Sequence, residues 1–161
     1  MKPILIGTFL LLFLLIIGCT TTSDSSQNFG AEPVFLEDNS NKISVSLDNI
    51  TVKPRGTDAH DIIIYFTVEN LGTEAVQLGA TTRLIDYDGV PHAGTGIFFD
   101  LMYPGESSTT FDTISVTSDN YNALLKGATL YAYFADSKMK KYSYSKRKTY
   151  DVTWVINLNN Q

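Results

Sequence analysis

Cysteine is almost missing from this chain. Cys19 is the only one in 161 residues, so no intrachain disulfide can form and the fold must rest on its core. Histidine is nearly as scarce. His60 and His92 are the only two, too few for a Ser-His-Asp arrangement to stand out, and no Gly-x-Ser-x-Gly run accompanies them. Asp58 and Asp61 flank His60, but a closed metal site needs three or four converging ligands, and Asp58-Ala59-His60-Asp61 reads as a polar loop ahead of a strand. Asp86, Asp88 and Asp100 lack the other ligands of a calcium loop. Hairpin chemistry accounts for Asp86-Tyr87-Asp88-Gly89. No catalytic residue, metal or cofactor is expected. Helical periodicity is also nearly absent, and no apolar run reaches the ~20 residues of a spanning helix.

What the N-terminus does have is an apolar run of signal-peptide length. Lys2 supplies a positive start, and Ile4 to Ile17 are apolar apart from Gly7 and Thr8. The run closes on Ile16-Ile17-Gly18-Cys19 and turns abruptly polar at Thr20. This tetrad resembles a lipobox, in which the cysteine is lipidated and becomes the mature N-terminus. The resemblance implies a cell-membrane location on the extracytoplasmic face, held by the lipid on Cys19. A diacylglyceryl group supplies the two chains that firm anchoring needs. The competing reading is an uncleaved apolar helix, which explains neither Gly18 nor the sharp change in polarity. Residues 1–18 are thus a signal peptide. Residues 19–41, rich in Ser, Thr, Asn and Asp, read as the lipidated N-terminus and a flexible tether. Residues 42–161 are one domain.

Charge is unevenly spread. Twelve bases face seventeen acids, for a net charge of −5. Six of the bases, Lys138, Lys140, Lys141, Lys146, Arg147 and Lys148, fall within 138–148 with no acid among them. The acidic remainder argues against a nucleic-acid binder. The basic stretch, interleaved with Tyr142 and Tyr144, has two readings. It is a patch for an anionic partner, such as lipid headgroups, an acidic envelope polymer or a glycan, or it is a solvated hairpin whose lysines guard an edge strand. Asn49-Ile50-Thr51 is the one N-x-[ST] sequon, so Asn49 is a glycosylation acceptor in hosts that modify secreted proteins.

Period-two alternation runs through the domain. Ile43, Val45 and Leu47 share one phase, and Ile50 and Val52 take the other. An extra residue at Asp48-Asn49, a bulge, would reconcile them and expose Asn49. Asp61 to Asn70 reads as a central strand, with Ile62, Ile64, Phe66 and Val68 on one face. Val76 to Leu84 is the next strand, followed by a two-residue hairpin turn at Asp88-Gly89 and a strand over 90–99. Tyr103-Pro104-Gly105-Glu106 fits a type II turn. Residues 107–117 form a strand with a phase slip between Phe111 and Ile114. Residues 118–126 are the one helix, capped by Ser118 or Asp119 and stopped by Gly127. Leu130, Ala132 and Phe134, then Val152, Trp154, Ile156 and Leu158, mark two last strands, with Trp154 buried. About seven strands without strand–helix alternation predict an all-β, antiparallel, immunoglobulin-like sandwich.

The motifs Phe66-Thr67-Val68-Glu69-Asn70-Leu71-Gly72, Arg83-Leu84-Ile85-Asp86-Tyr87-Asp88-Gly89 and Leu101-Met102-Tyr103-Pro104-Gly105-Glu106 resemble the FxLYD-type and immunoprotective-lipoprotein-type domains of bacterial and archaeal lipoproteins. The resemblance covers about 60–135. It implies a fibronectin-like sandwich outside the cell and carries over no catalytic residue. The sequence thus leads to a membrane-anchored interaction or structural module without catalysis. The alternative is an accessory lipoprotein that takes a glycan or anionic polymer on the basic, tyrosine-rich hairpin.

Overall fold

A computed structural model of the chain describes residues 25–28, 32–38, 41–136 and 149–158. Cys19 and the basic stretch 138–148 lie outside the described residues.

The fold grows from the strand with the strictest alternation. Strand β4 (Ala59–Asn70) buries Ile62, Ile64, Phe66 and Val68 and leaves Ile63, Tyr65 and Thr67 half-buried on its other face. It pairs antiparallel on one side with β3 (Asn41–Arg55) and on the other with β8 (Ser107–Thr117). The β3–β4 register shifts between Leu47 and Asn49, which is the bulge the change of phase requires. Ile43, Val45 and Leu47 before it and Ile50 and Val52 after it therefore all reach the core. Strands β1 (Ser25–Asn28) and β2 (Val34–Asp38) pair with the remaining edge of β3.

The second sheet runs in the order β10 (Thr149–Ile156), β9 (Ala128–Asp136), β5 (Leu78–Ile85), β6 (Pro91–Ala93), with β7 (Ile97–Phe98) also on β5. Helix α1 (Ser118–Lys126) carries the chain from β8 to β9. All pairings in both sheets are antiparallel. The sheets close on one core, where Phe66 meets Phe134 edge-on at 6.1 Å between ring centres. This is the immunoglobulin-like β-sandwich that the alternation predicts.

Several details depart from expectation. Strands number ten among the described residues. The stretch 19–41 is not all tether, because β1 and β2 lie in it and Leu36 enters the core. The strand expected over 90–99 is two short ones, divided after Gly94, whose N–H still bonds the Thr82 carbonyl of β5, where Thr95 N–H crosses to the Thr113 carbonyl of β8. β8 has no phase slip. Its inward positions run Ser108, Asp112, Ile114 and Val116, and Phe111 faces out. The helix is capped by Thr117, whose hydroxyl accepts from Asn120 N, not by Ser118 or Asp119. The β5–β6 turn has three residues. Asp86 N–H donates to the Val90 carbonyl and Gly89 takes φ +81°, so Gly89 is the bulge residue after a tight turn at Tyr87-Asp88. Trp154 is half-buried against Phe66, because β10 is an edge strand with one flank unpaired among the described residues.

Strand direction defines two ends. At the helix pole lie the 56–58 turn, the 86–90 turn, α1 and the start of β1, which opens opposite Val52. At the loop pole lie segments 71–77 and 99–106 and the strand ends Asp136 and Thr149, which bracket residues 137–148.

Candidate interaction surface

The loop pole is organised by one buried amide. Asn70 ends β4 with no exposed surface. Its Nδ2 donates to the carbonyls of Glu74 at 2.7 Å and Met102 at 3.0 Å, and its Oδ1 accepts from Gly72 N–H at 3.0 Å. Its own N–H donates to the Glu106 carbonyl at 2.9 Å, and its carbonyl accepts from Gly105 N–H at 2.8 Å. Both side-chain protons and both backbone groups thus have partners, which makes this a rigid polar centre.

Further bonds lock the two loops together. Val76 and Met102 exchange backbone hydrogen bonds at 2.9 and 2.8 Å. Tyr103 to Glu106 close the expected type II turn. Glu106 N–H reaches the Tyr103 carbonyl at 3.0 Å, and Gly105 sits at φ +83°, where a side chain would be strained. Glu106 Oε2 also accepts from Tyr103 N–H at 2.8 Å. Met102 is drawn into the core, so its neighbours point the other way. Tyr103, Leu101 and Leu71 are 58, 44 and 39% exposed. Exposed Glu69, Glu74, Asp100 and Glu106 surround them. Apolar side chains on loops held rigid by a scaffold are what protein recognition surfaces are made of.

A second polar centre joins the sheets. Asp112 is buried at an inward position of β8. Its Oδ2 accepts from Thr82 Oγ1 at 2.6 Å, and its Oδ1 accepts from Thr95 N–H at 2.9 Å, Thr95 Oγ1 at 2.8 Å and Thr113 N–H at 2.8 Å. Gly94 packs so tightly against this carboxylate and Thr82 that any Cβ would collide with both. The centre lies inside the protein and is architecture. The single signal for it in the sequence is an Asp where alternation calls for an apolar residue.

Among the other candidate polar residues, His60 Nδ1 and Asn49 Oδ1 are buried without a hydrogen-bond partner, and the rest have structural roles. Asp86 is buried. Its Oδ1 accepts from the N–H groups of Asp88 and Val90, and its Oδ2 accepts from His92 Nε2 at 2.9 Å. Burial pushes its carboxyl upward, but the His92 hydrogen bond, the two backbone donors and the His92 charge outweigh this and hold it below the ordinary 3.8. His92 is thereby a clamp on the turn. At the helix pole the His60 ring stacks on Tyr121 at 4.2 Å, and burial raises the Tyr121 hydroxyl. Asp61 accepts from Ser115 Oγ at 2.6 Å and lies 3.8 Å from Arg55. Asp100 sits at the loop pole, away from Asp86 and Asp88. Among the described residues no three His, Cys, Asp or Glu side chains gather as metal ligands. Asn49 is at the bulge as expected but half-buried, because β1 lies along one side and Tyr65 stands opposite on the other. Its Nδ2 reaches Thr51 Oγ1 at 3.4 Å.

No family model and no curated protein matches the chain. The FxLYD-type and immunoprotective-lipoprotein-type resemblance therefore rests on its turn motifs. Among solved structures, the chain is similar to a functionally unknown protein from Listeria monocytogenes EGD-e, with 8% identity, 84% of this chain and 89% of that one covered, and a TM-score of 0.48. It is similar to an uncharacterized β-sandwich protein from Clostridium difficile 630, with 10% identity, 76% and 91% covered, and a TM-score of 0.40. A protein from Archaeoglobus fulgidus gives 8% identity, 78% and 99% covered, and a TM-score of 0.38. Likenesses this distant carry no functional argument, and the fold rests on the strand pairing itself.

Proposed function

We propose that this chain is a lipid-anchored, extracytoplasmic, immunoglobulin-like interaction module without catalytic activity, and that it meets its partner at the loop pole. The lipobox-like Ile16-Ile17-Gly18-Cys19 supports the anchor. One observation carries the placement of the binding end. The Asn70-held loops expose Leu71, Leu101 and Tyr103 at the pole opposite the start of β1. Among the described residues no helix is long and apolar enough to cross a membrane.

A second reading keeps the anchor and changes the ligand. The connection between β9 and β10 holds Lys138, Lys140, Lys141, Lys146, Arg147 and Lys148, and its bracketing strand ends stand at the loop pole as well. It would then serve a glycan or an anionic envelope polymer.

Replacing Cys19 by Ser should move the protein from the membrane to the soluble fraction. A variant that stays with the membrane would refute the anchor. A photo-reactive residue at position 103 should crosslink to a partner in intact cells, while one at Val155, on the outer face of β10, should not. Equal labelling at both positions would refute the loop pole as the binding end.

A further inference from the structure

We propose that the helix pole rests on the bilayer that holds Cys19, with the tip of the β5–β6 hairpin at the headgroup boundary. This rests on the reading of Cys19 as the lipidated residue and adds an orientation and a second, lipid-facing surface to it.

Chain length limits how far the domain can stand from the lipid. A free stretch from 19 to 41 would let the domain tumble. Instead the chain joins the sheet at Ser25, opposite Val52, only six residues after Cys19. Six extended residues span at most ~20 Å. The fifteen residues of β3 span ~50 Å from pole to pole. The tether therefore holds the helix pole near the lipid and leaves the loop pole far from it. The strand ends Asp136 and Thr149 stand at that far pole.

The helix pole also presents exposed apolar and aromatic surface. Tyr87 is 70% exposed and Val90 47% exposed, both at the hairpin tip. The tip is preformed. Asp86 holds the N–H groups of Asp88 and Val90 at 3.0 and 2.9 Å, and His92 holds Asp86 from behind. Such a loop gives up little conformational freedom on docking. A tyrosine ring with a polar hydroxyl suits the boundary between headgroups and acyl chains, and Val90 adds apolar surface beside it. The bilayer is the one partner that the length and exit point of the tether bring to this tip.

The test uses the full chain, lipidated and reconstituted into vesicles of phosphatidylcholine and phosphatidylglycerol. Tyr87→Cys and, separately, Asp100→Cys at the loop pole each carry a thiol-attached, environment-sensitive fluorophore, Cys19 being blocked by its lipid. Spin-labelled headgroups should remove about half or more of the emission at position 87, since a docked surface sits within ~5–10 Å of the boundary, and should leave position 100 unchanged. Val90→Cys should repeat the result at 87, which guards against a local disturbance by the first variant. If the protein floats with vesicles but the probes at 87 and 90 go unquenched, the anchor stands and the orientation is overturned. If the parent floats no better than Cys19→Ser, the anchor reading fails and this proposal falls with it.

Discussion

The carboxamide of Asn70 and the carbonyl of Met102 meet at 3.0 Å across 32 positions of sequence. This contact binds the segment after β4 to the segment before β8, and the outward pose of Leu101 and Tyr103 depends on it. Asn70→Ala would take a partner from the Glu74 carbonyl, the Gly72 N–H and the Met102 carbonyl, the last of which keeps the Val76 N–H. The loss expected in urea denaturation is about 2–3 kcal/mol. Asn70→Asp should cost at least as much, because it aims a carboxylate oxygen at two carbonyls. A loss below ~0.5 kcal/mol for either variant would show that the loops do not depend on this residue.

Gly94 and Asp112 form the second dependency. Gly94→Ala should destabilise the domain by about 1–3 kcal/mol, because a methyl must displace the carboxylate or the Thr82 hydroxyl. Asp112→Ala should be costly as well, since four donors lose their acceptor. The double variant should cost less than the sum, as removal of the carboxylate makes room for the methyl. Strict additivity would contradict the close packing.

Acid should loosen the β5–β6 turn. Asp86 binds its proton less readily folded than unfolded, so its contribution to stability is complete above the ordinary value of 3.8 and is lost as pH falls through the lower folded value. Asp86→Asn should be less stable than the parent at pH 7 and should show a shallower loss of stability on acidification below about pH 4. Parallel stability curves for the two proteins would contradict the clamp.

The charge of 138–148 has its own test. Reversing Lys140, Lys141, Arg147 and Lys148 to Glu should leave the melting temperature nearly unchanged and weaken binding to an acidic cell-wall polymer. The parent's binding should fall as salt shortens the screening length to about 8 Å near physiological strength. A parent that binds no such polymer at low salt would leave these lysines as guards of an edge strand.

The sheets were largely legible because alternation reports burial directly. Ile62 to Val68 gave the central strand, and the change of phase between Leu47 and Ile50 located the bulge. Alternation failed where a polar residue takes a core position. Asp112 holds the inward position that an apolar pattern assigns to Phe111, and the apparent phase slip disappears, because a carboxylate with four donors can sit where a leucine would. β1 leaves no mark in the alternation because Ser25-Ser26-Gln27-Asn28 has no apolar residue, and only its pairing with β3 makes it a strand. The motif pieces around Asn70 and Leu101 were visible one by one. Their convergence on one amide was not, since a hydrogen bond across 32 positions leaves no local pattern.

Lipidation of Cys19 decides the proposed function, because the anchor gives the two poles their meaning. Intact mass spectrometry of the membrane-extracted protein tests this most directly. The predicted mass is that of residues 19–161 plus a diacylglyceryl group on Cys19. A protein that retains Met1, or one that begins after Cys19 without lipid, would contradict it.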